Sequence, residues 1–383
     1  MRYSKSLILV CSAIIYWGAI VTTFLLDFKY PLPEEIIIAS SLDWFLTTVV
    51  VVLILNYNKK RFLFFDSYFS LNVKNSFEKN EILIYFILCI LFVFCLGRAD
   101  LILSGATREM LVFEEDSSRF IMIASPLFVF VSAVSLVYDF KLRIKAALLF
   151  GVVLVSIYNL SRAEIASLIF SIITLVLFRG VSLRKIAIAA LLFSFLILLS
   201  ISVTIYQGRA DSLESALEAV FVAFFKYKAF SLYLSDYSIR KIDGDLEQIF
   251  YPFFGFAIER ILTIIQPLSN PISVQDSTFI SDFRSLGLSN AYDGNVLYSW
   301  WSWFYGAFGI VGLFFKMIFI YVILNCLIKS KLAFTLFYML YICLFTAYFR
   351  HPFLNSSSLY AIITLFLLDI LIIKFHSRSK LHF

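Results

Sequence analysis

Apolar runs of about 15–22 residues recur from one end of this chain to the other, and they constrain its fold more than any motif does. At 1.5 Å per residue such a run nearly matches the ~30 Å depth of a bilayer's hydrocarbon core. Of the 383 residues, 61% are hydrophobic and only 15% are charged, too few charges to solvate a soluble domain of this length. The expected fold is therefore all-α, a polytopic integral membrane helical bundle forming one membrane domain over residues 1–383. The net charge of +6 is a matter of sidedness in such a chain and gives no sign of nucleic-acid binding. Cys11, Cys89, Cys95, Cys326 and Cys343 all fall inside apolar runs, with no CxxC spacing among them, and read as buried packing residues. The first run, 6–26, is too long for a signal-peptide core and has no small-x-small cleavage site before Asp27, so it reads as a retained helix.

Arg2 and Lys5 precede that run and favour a cytoplasmic amino terminus. Spans are then expected at 6–26, 36–55, 82–96, 120–140, 146–160, 165–178, 186–206, 304–328, 332–349 and 359–375, ten in all, with both termini cytoplasmic. The inner segments hold 12 Lys and 6 Arg, the outer ones 4 Lys and 9 Arg. Seven of those outer cations sit in one large periplasmic loop, 207–298, where the positive-inside bias is weak. Within it, 212–234 and 246–265 are apolar but broken by Lys226, Lys228, Glu259 and Arg260, which suggests amphipathic helices on the outer membrane surface. A twelve-span arrangement, with Arg240-Lys241 at the cytoplasmic face, is the alternative.

Sidedness accounts for an inner surplus of positive charge but not for an outer preference for arginine. A guanidinium stays charged and grips phosphate oxygens bidentately, so outer arginines suit a lipid-anchored diphosphate. Arg162 stands out, because the runs on either side of Ser161–Glu164 are only 15 and 14 residues long. At about 21–23 Å they would leave the turn below the membrane surface, where charge survives only inside protein or a wet cavity. Arg162 and Glu164 are therefore candidates, either for chemistry or as a structural pair capping the hairpin. Arg350-His351-Pro352 ends another span at the same face, and His351 titrates near neutrality, as a base for a sugar hydroxyl would. Arg209 and Arg284 could close over a diphosphate, and Tyr298, Trp300 and Trp301 could stack on sugar rings or anchor the interface. Asp43, Asp139, Lys316 and Asp369 lie in or near spans and could serve an ion pathway, though they form no obvious chain.

This layout resembles the bacterial O-antigen polymerase (Wzy) family of oligosaccharide repeat unit polymerases, and more distantly the O-antigen ligases. The likeness rests on the span count, Ser161-Arg162-Ala163-Glu164 at an outer hairpin, the long late loop, and Asn295 followed by Phe308-Gly309-Ile310-Val311-Gly312. One detail departs from it, since some members space an arginine and a glycine by ten residues, whereas nine separate Arg284 from Gly294. The resemblance implies a glycosyltransferase of the bacterial inner membrane, working in lipopolysaccharide biosynthesis without metal or cofactor. It would move a glycan from undecaprenyl diphosphate onto a new lipid-linked repeat unit at the periplasmic face. The implied partners are that lipid-linked oligosaccharide, membrane lipid and a chain-length regulator protein, with no nucleic acid. In that reading Arg162, Arg209, Arg284 and Arg350 neutralise the departing diphosphate, and His351 or else Glu164 deprotonates the acceptor. An O-antigen ligase and a lipid-linked oligosaccharide flippase are the alternatives.

Overall fold

The structure, a computed structural model, describes residues 5–99, 119–159, 163–179, 212–240, 246–255, 298–353 and 356–379, with short pieces at 161, 198, 201–202, 205, 284–288 and 293–294. The apolar runs become helices. In order these are α1 (Lys5–Leu25), α2 (Glu34–Tyr57), α3 (Lys59–Ser67), α4 (Lys74–Lys79) and α5 (Glu81–Gly97), with a π turn at Tyr68–Val73 joining α3 to α4. Next come α6 (Arg119–Val137), α7 (Leu142–Tyr158), α8 (Ala163–Arg179), α9 (Leu213–Arg240) and α10 (Leu246–Phe254). The last are α11 (Trp300–Phe308), α12 (Ile310–Lys329), α13 (Ala333–Tyr341), which runs into a second π turn at Ile342–Thr346, and α14 (Ser356–Ser379). The extended backbone among the described residues is a two-residue antiparallel pair, β1 (Arg284–Ser285) with β2 (Asp293–Gly294), and an isolated bridge from Phe28 to Gly287.

Four stretches, in α1, α2, α6 and α12, are long and apolar enough to cross a membrane. The count is five if Lys59–Lys79 and Glu81–Gly97, bent by 67° at their junction, are taken as one broken span. Outward faces are apolar too: α5 exposes Ile82, Phe86, Val93 and Leu96, and α12 exposes Ile310, Val311, Phe314 and Ile318. Such continuous apolar surface suits lipid and not water.

Several expected boundaries shift. The segment 56–81, expected as an inner loop, is helical nearly throughout. The expected span 304–328 is broken at Gly309, which adopts φ +61° and lets α11 turn sharply into α12. Three residues on, a Cβ at Gly312 would collide with the Phe304 carbonyl, so glycine permits this close return. The expected span 186–206 falls almost wholly outside the described residues. Cys89 and Cys326 are exposed on outward helix faces and are not buried packing residues as expected. Finally, α9 packs along α1. Phe225 meets Gly18 in the middle of α1, while Phe230 and Tyr233 pack on Phe28 just beyond its end. On another face α9 is tied to α11 by serines: Ser235 and Ser238 hydrogen-bond Ser299 and Ser302, beside and within α11, each at 2.6 Å.

Contacts between loops sort them to two ends of the bundle. At one end the 27–30 segment meets the long-loop strand, with Lys29 N–H donating to Leu286 O at 2.9 Å and the Tyr233 hydroxyl to Tyr30 O at 3.1 Å. There too His351 N–H donates to Tyr298 O at 2.7 Å. At the other end ion pairs tie Glu78 to Lys141, Glu81 to Arg143 and Asp66 to Arg179.

Among the described residues one ion pair lies in the interior. Lys316 of α12 donates to both oxygens of Asp43 on α2, at 2.7 and 2.6 Å, and the two side chains are 0% and 1% exposed. Each of the four in-span carboxylate and ammonium candidates has a partner. Asp43 and Lys316 form a buried couple. Asp369 caps the amino end of α13, accepting from Phe334 N–H, Thr335 N–H and the Thr335 hydroxyl. Asp139 is an exposed residue paired with Lys145. Removing one member of a buried couple strands the other charge, at a cost of about 3–5 kcal/mol, whereas replacing both can be neutral. Lys316→Met should therefore lower the unfolding temperature in detergent sharply, and Asp43→Leu in the same chain should restore most of the loss. A double variant no better than Lys316→Met would show that the pair is not what binds α2 to α12.

Candidate functional site

A cavity of about 420 Å³ opens among α6, the α7–α8 turn, α13 with its π turn, and the start of α14. Its polar groups come from separate parts of the chain. The α7–α8 turn supplies Asn159, Ser161, Glu164 and Ser167, and the segment after α13 supplies Thr346 and Arg350. Ile121, Val129 and Phe130 of α6 and Ala361 of α14 give it an apolar wall. Tyr338 and Tyr341 of α13 carry phenols into the lining, and Phe130 packs edge-on against both.

Local physics holds these groups in place. α7 and α8 are 17 residues each, somewhat longer than the runs alone suggest, and at about 26 Å still short of a ~30 Å core. Ser161 Oγ accepts from Ala163 N–H at 3.1 Å at the start of α8, and Asn159 donates to Glu164 Oε1 at 2.7 Å. Arg98 braces the turn from outside, its guanidinium 4.2 Å above the Tyr158 ring and donating to the Tyr158 carbonyl at 3.4 Å. Across the cavity, Ser167 and the Tyr341 hydroxyl are 3.3 Å apart. In α6, Pro126 has no N–H to offer the Met122 carbonyl one turn back, and both residues line the cavity. The π turn at Ile342–Thr346 brings Thr346 to the lining, and Arg350 N–H then bonds the Thr346 carbonyl at 2.8 Å.

Of the residues expected to form a site, Glu164 and Arg350 meet at this cavity. Arg162 lies outside the described residues, though Ser161 and Ala163 on either side of it both line the cavity. Arg209 also lies outside the described residues, as does Asn295 of the Asn295…Gly309 pattern.

The other candidates are elsewhere. His351 is 1% exposed and is no lining residue. Its Nδ1 accepts from Phe353 N–H at 3.1 Å, which places the ring proton on Nε2, facing the Tyr251 carbonyl at 3.1 Å. Burial pushes its pKa down from 6.5 to about 3. The expectation of a histidine base is corrected here, since both ring nitrogens hold backbone and neither is offered to a substrate. Tyr298, Trp300 and Trp301 are also corrected as ring-stacking residues, being 2%, 0% and 0% exposed. Trp300 donates its indole N–H to Pro252 O at 2.8 Å and packs against His351 and Phe353. Arg284 stands back from the cavity on β1, its guanidinium 3.9 Å above Tyr237.

No protein-family profile, characterised protein or solved structure matches this chain. The site thus rests on its own geometry. Among the described residues no group of three imidazole, thiol or carboxyl side chains is placed to hold a metal ion. The residues missed from sequence were Asn159, Ser167, Tyr338 and Tyr341. A signal for the tyrosines was present, since a three-residue spacing puts both phenols on one face of a helix that is otherwise apolar.

A buried neutral histidine makes stability depend on pH. Unfolded, the imidazole takes up a proton near 6.5, and folded it does so only near 3, so the unfolded chain binds more protons between those values. Stability is complete above about pH 6.5 and falls as the pH drops toward 3. Unfolding of the detergent-solubilised protein, followed by tryptophan fluorescence, should show this loss, and His351→Gln should flatten it. A slope identical in the variant would remove His351 as its source.

Proposed function

We propose that this cavity transfers a glycan between polyprenyl-diphosphate-linked carriers, as an oligosaccharide repeat unit polymerase. The observation that carries the reading is the meeting of Glu164 and Arg350, far apart in sequence, at one amphipathic cavity among membrane-length helices. In this reading the end of the bundle where 27–30, β1 and His351 meet is periplasmic. The two termini are then cytoplasmic, the membrane is the bacterial inner membrane, and the bundle has about ten spans with 207–298 as the large periplasmic loop. The descent of α9 beside α1 favours counting part of that loop as membrane-embedded.

The reaction forms a bond from an acceptor hydroxyl oxygen to the donor sugar's anomeric carbon and breaks the bond from that carbon to the diphosphate. The hydroxyl proton passes to Glu164, held in position by Asn159. The leaving diphosphate takes the bonding electron pair and is met by Arg350, with Arg162, between the lining residues Ser161 and Ala163 in sequence, as the second cation expected to serve it. The apolar wall of α6 and α14 accommodates the lipid chain, and the lining phenols and serines offer hydrogen bonds to sugar hydroxyls. The same chemistry with a lipid A core as acceptor would make the protein a ligase, and one gel separates the two.

Arg350→Lys keeps the charge but loses the two-pronged donor, and by analogy with removal of a transition-state donor the rate should fall about 10²–10³-fold. Glu164→Gln should reduce turnover about 10²–10⁴-fold while leaving the fold intact. Both predict surface polysaccharide with a single repeat per core in cells whose own gene is deleted and replaced by the variant. Normal long chains from either variant would sink the proposal, and free lipid-linked chains with no surface transfer would point to a ligase.

A further inference from the structure

The opposite end of the bundle carries a second, larger hollow with a different chemistry. α2 and α12 run parallel, as the Asp43–Lys316 couple and the shared position of their carboxyl ends require. Between those ends opens a groove of about 880 Å³ lined by Lys59, Lys60, Arg61, Lys329 and the amides Asn58 and Asn325. Among the described residues that line it none is acidic. Among the described residues none of its four cations makes an ion pair, while Lys141, Arg143, Lys145 and Arg179 at the same end each face a carboxylate.

The unanswered charge exceeds what local structure asks for. Two helix carboxyl ends arrive here, each equivalent to roughly half a negative charge, and the amino end of α3 returns roughly half a positive one. Against four full cations this leaves a surplus of about three and a half positive charges. Below the groove the surface is apolar: Tyr57, Tyr321 and Val322 line its lip, and the exposed face of α12 continues through Ile318 and Phe314. Basic groups above, aromatic residues at the boundary and an outward apolar track below match the parts of a phospholipid in order.

We propose that this groove binds an anionic phospholipid, its phosphate held by Lys59, Lys60, Arg61 and Lys329 and one acyl chain laid along the outward face of α12. The site lies apart from the cavity assigned to glycan transfer and does not depend on that assignment. Through α12 it would couple the lipid composition of one leaflet to the packing of α2 against α12.

The test uses the full-length protein in a neutral detergent, titrated separately with phosphatidylglycerol, phosphatidylcholine and inorganic phosphate. Retained lipid is counted by native mass spectrometry, and unfolding temperature is followed in parallel. Phosphatidylglycerol should be retained roughly tenfold more tightly than phosphatidylcholine and should raise the unfolding temperature. A Lys59→Gln, Lys60→Gln, Arg61→Gln, Lys329→Gln variant should lose that preference and bind phosphatidylcholine as before. These side chains are exposed, so the fold should survive, and a salt titration of the unaltered protein supplies a second readout in which only phosphatidylglycerol binding weakens. Equal retention of the two lipids, a preference unchanged in the variant or insensitive to salt, or inorganic phosphate alone competing at equal concentration would overturn the lipid assignment.

Discussion

A charge inside an apolar bundle must find its counter-charge, and in this protein that requirement sets the register of the helices around it. Asp43 and Lys316 meet within hydrogen-bond distance, so α2 and α12 can neither slide nor rotate without stranding one of them. From that point fourteen residues lead to Tyr57 and thirteen to Lys329, about 21 and 20 Å, so the two helices end level with each other. The basic groove is a result of that matching. Toward the other end the Tyr305 hydroxyl donates to Glu35 at 2.6 Å, tying the start of α2 to α11. Other polar groups gather round the couple, with Thr47 beside Lys316 and Tyr16 bonded to Ser40. Trp300 presents its ring to the ammonium at 5.3 Å.

α13 joins this sector to the one that holds the cavity. Every residue from Ala333 to Tyr341 is buried, as expected of a helix surrounded by others. Its amino end is fixed by Asp369 of α14, and its far end widens into the π turn. The extra residue in that turn shifts the backbone so that Thr346 and Arg350 reach the cavity while Ala347 O accepts from Trp300 N–H on the other side. A rigid central helix with an irregular end can thus present one charged side chain to the cavity and leave its neighbour, His351, in the packing behind it.

Much of the fold was legible because apolar runs leave a chain few options in lipid. The limits of α1, α2, α5 and α6 fall within a few residues of the runs that predict them. Legibility failed where tertiary neighbours decide. Tryptophans and a histidine at a membrane boundary read as binding groups, but here they fill the space between α10, α11 and the 351–353 turn. Residue type alone does not tell an aromatic packed against protein from one facing solvent. Asp369 read as an in-span charge, yet it satisfies the amino end of a helix more than thirty residues away in sequence. The 212–234 segment read as a surface helix because of Lys226 and Lys228, and each ammonium lies near an aromatic ring, Phe230 for one and Phe170 and Phe349 for the other. For the site, the α7–α8 turn was legible as a break between two short apolar runs, while its partner Arg350 was recognisable only as one arginine among several.

Losing His351 from the site narrows the chemistry the cavity can perform. Among the described lining residues the groups that can exchange a proton are Glu164 and the phenols of Tyr338 and Tyr341. A phenol, ordinarily titrating near 10, is a poor acceptor at neutral pH, so a carboxylate base is the stronger choice. A carboxylate is far less basic than a sugar alkoxide, so it cannot deprotonate a resting hydroxyl to any useful extent. It can take the proton only as bond formation to the anomeric carbon makes that hydroxyl acidic. Under the proposed reaction, then, bond cleavage toward the diphosphate runs ahead of proton transfer. The larger catalytic demand falls on the cations that receive the departing phosphate charge, with Glu164 acting late.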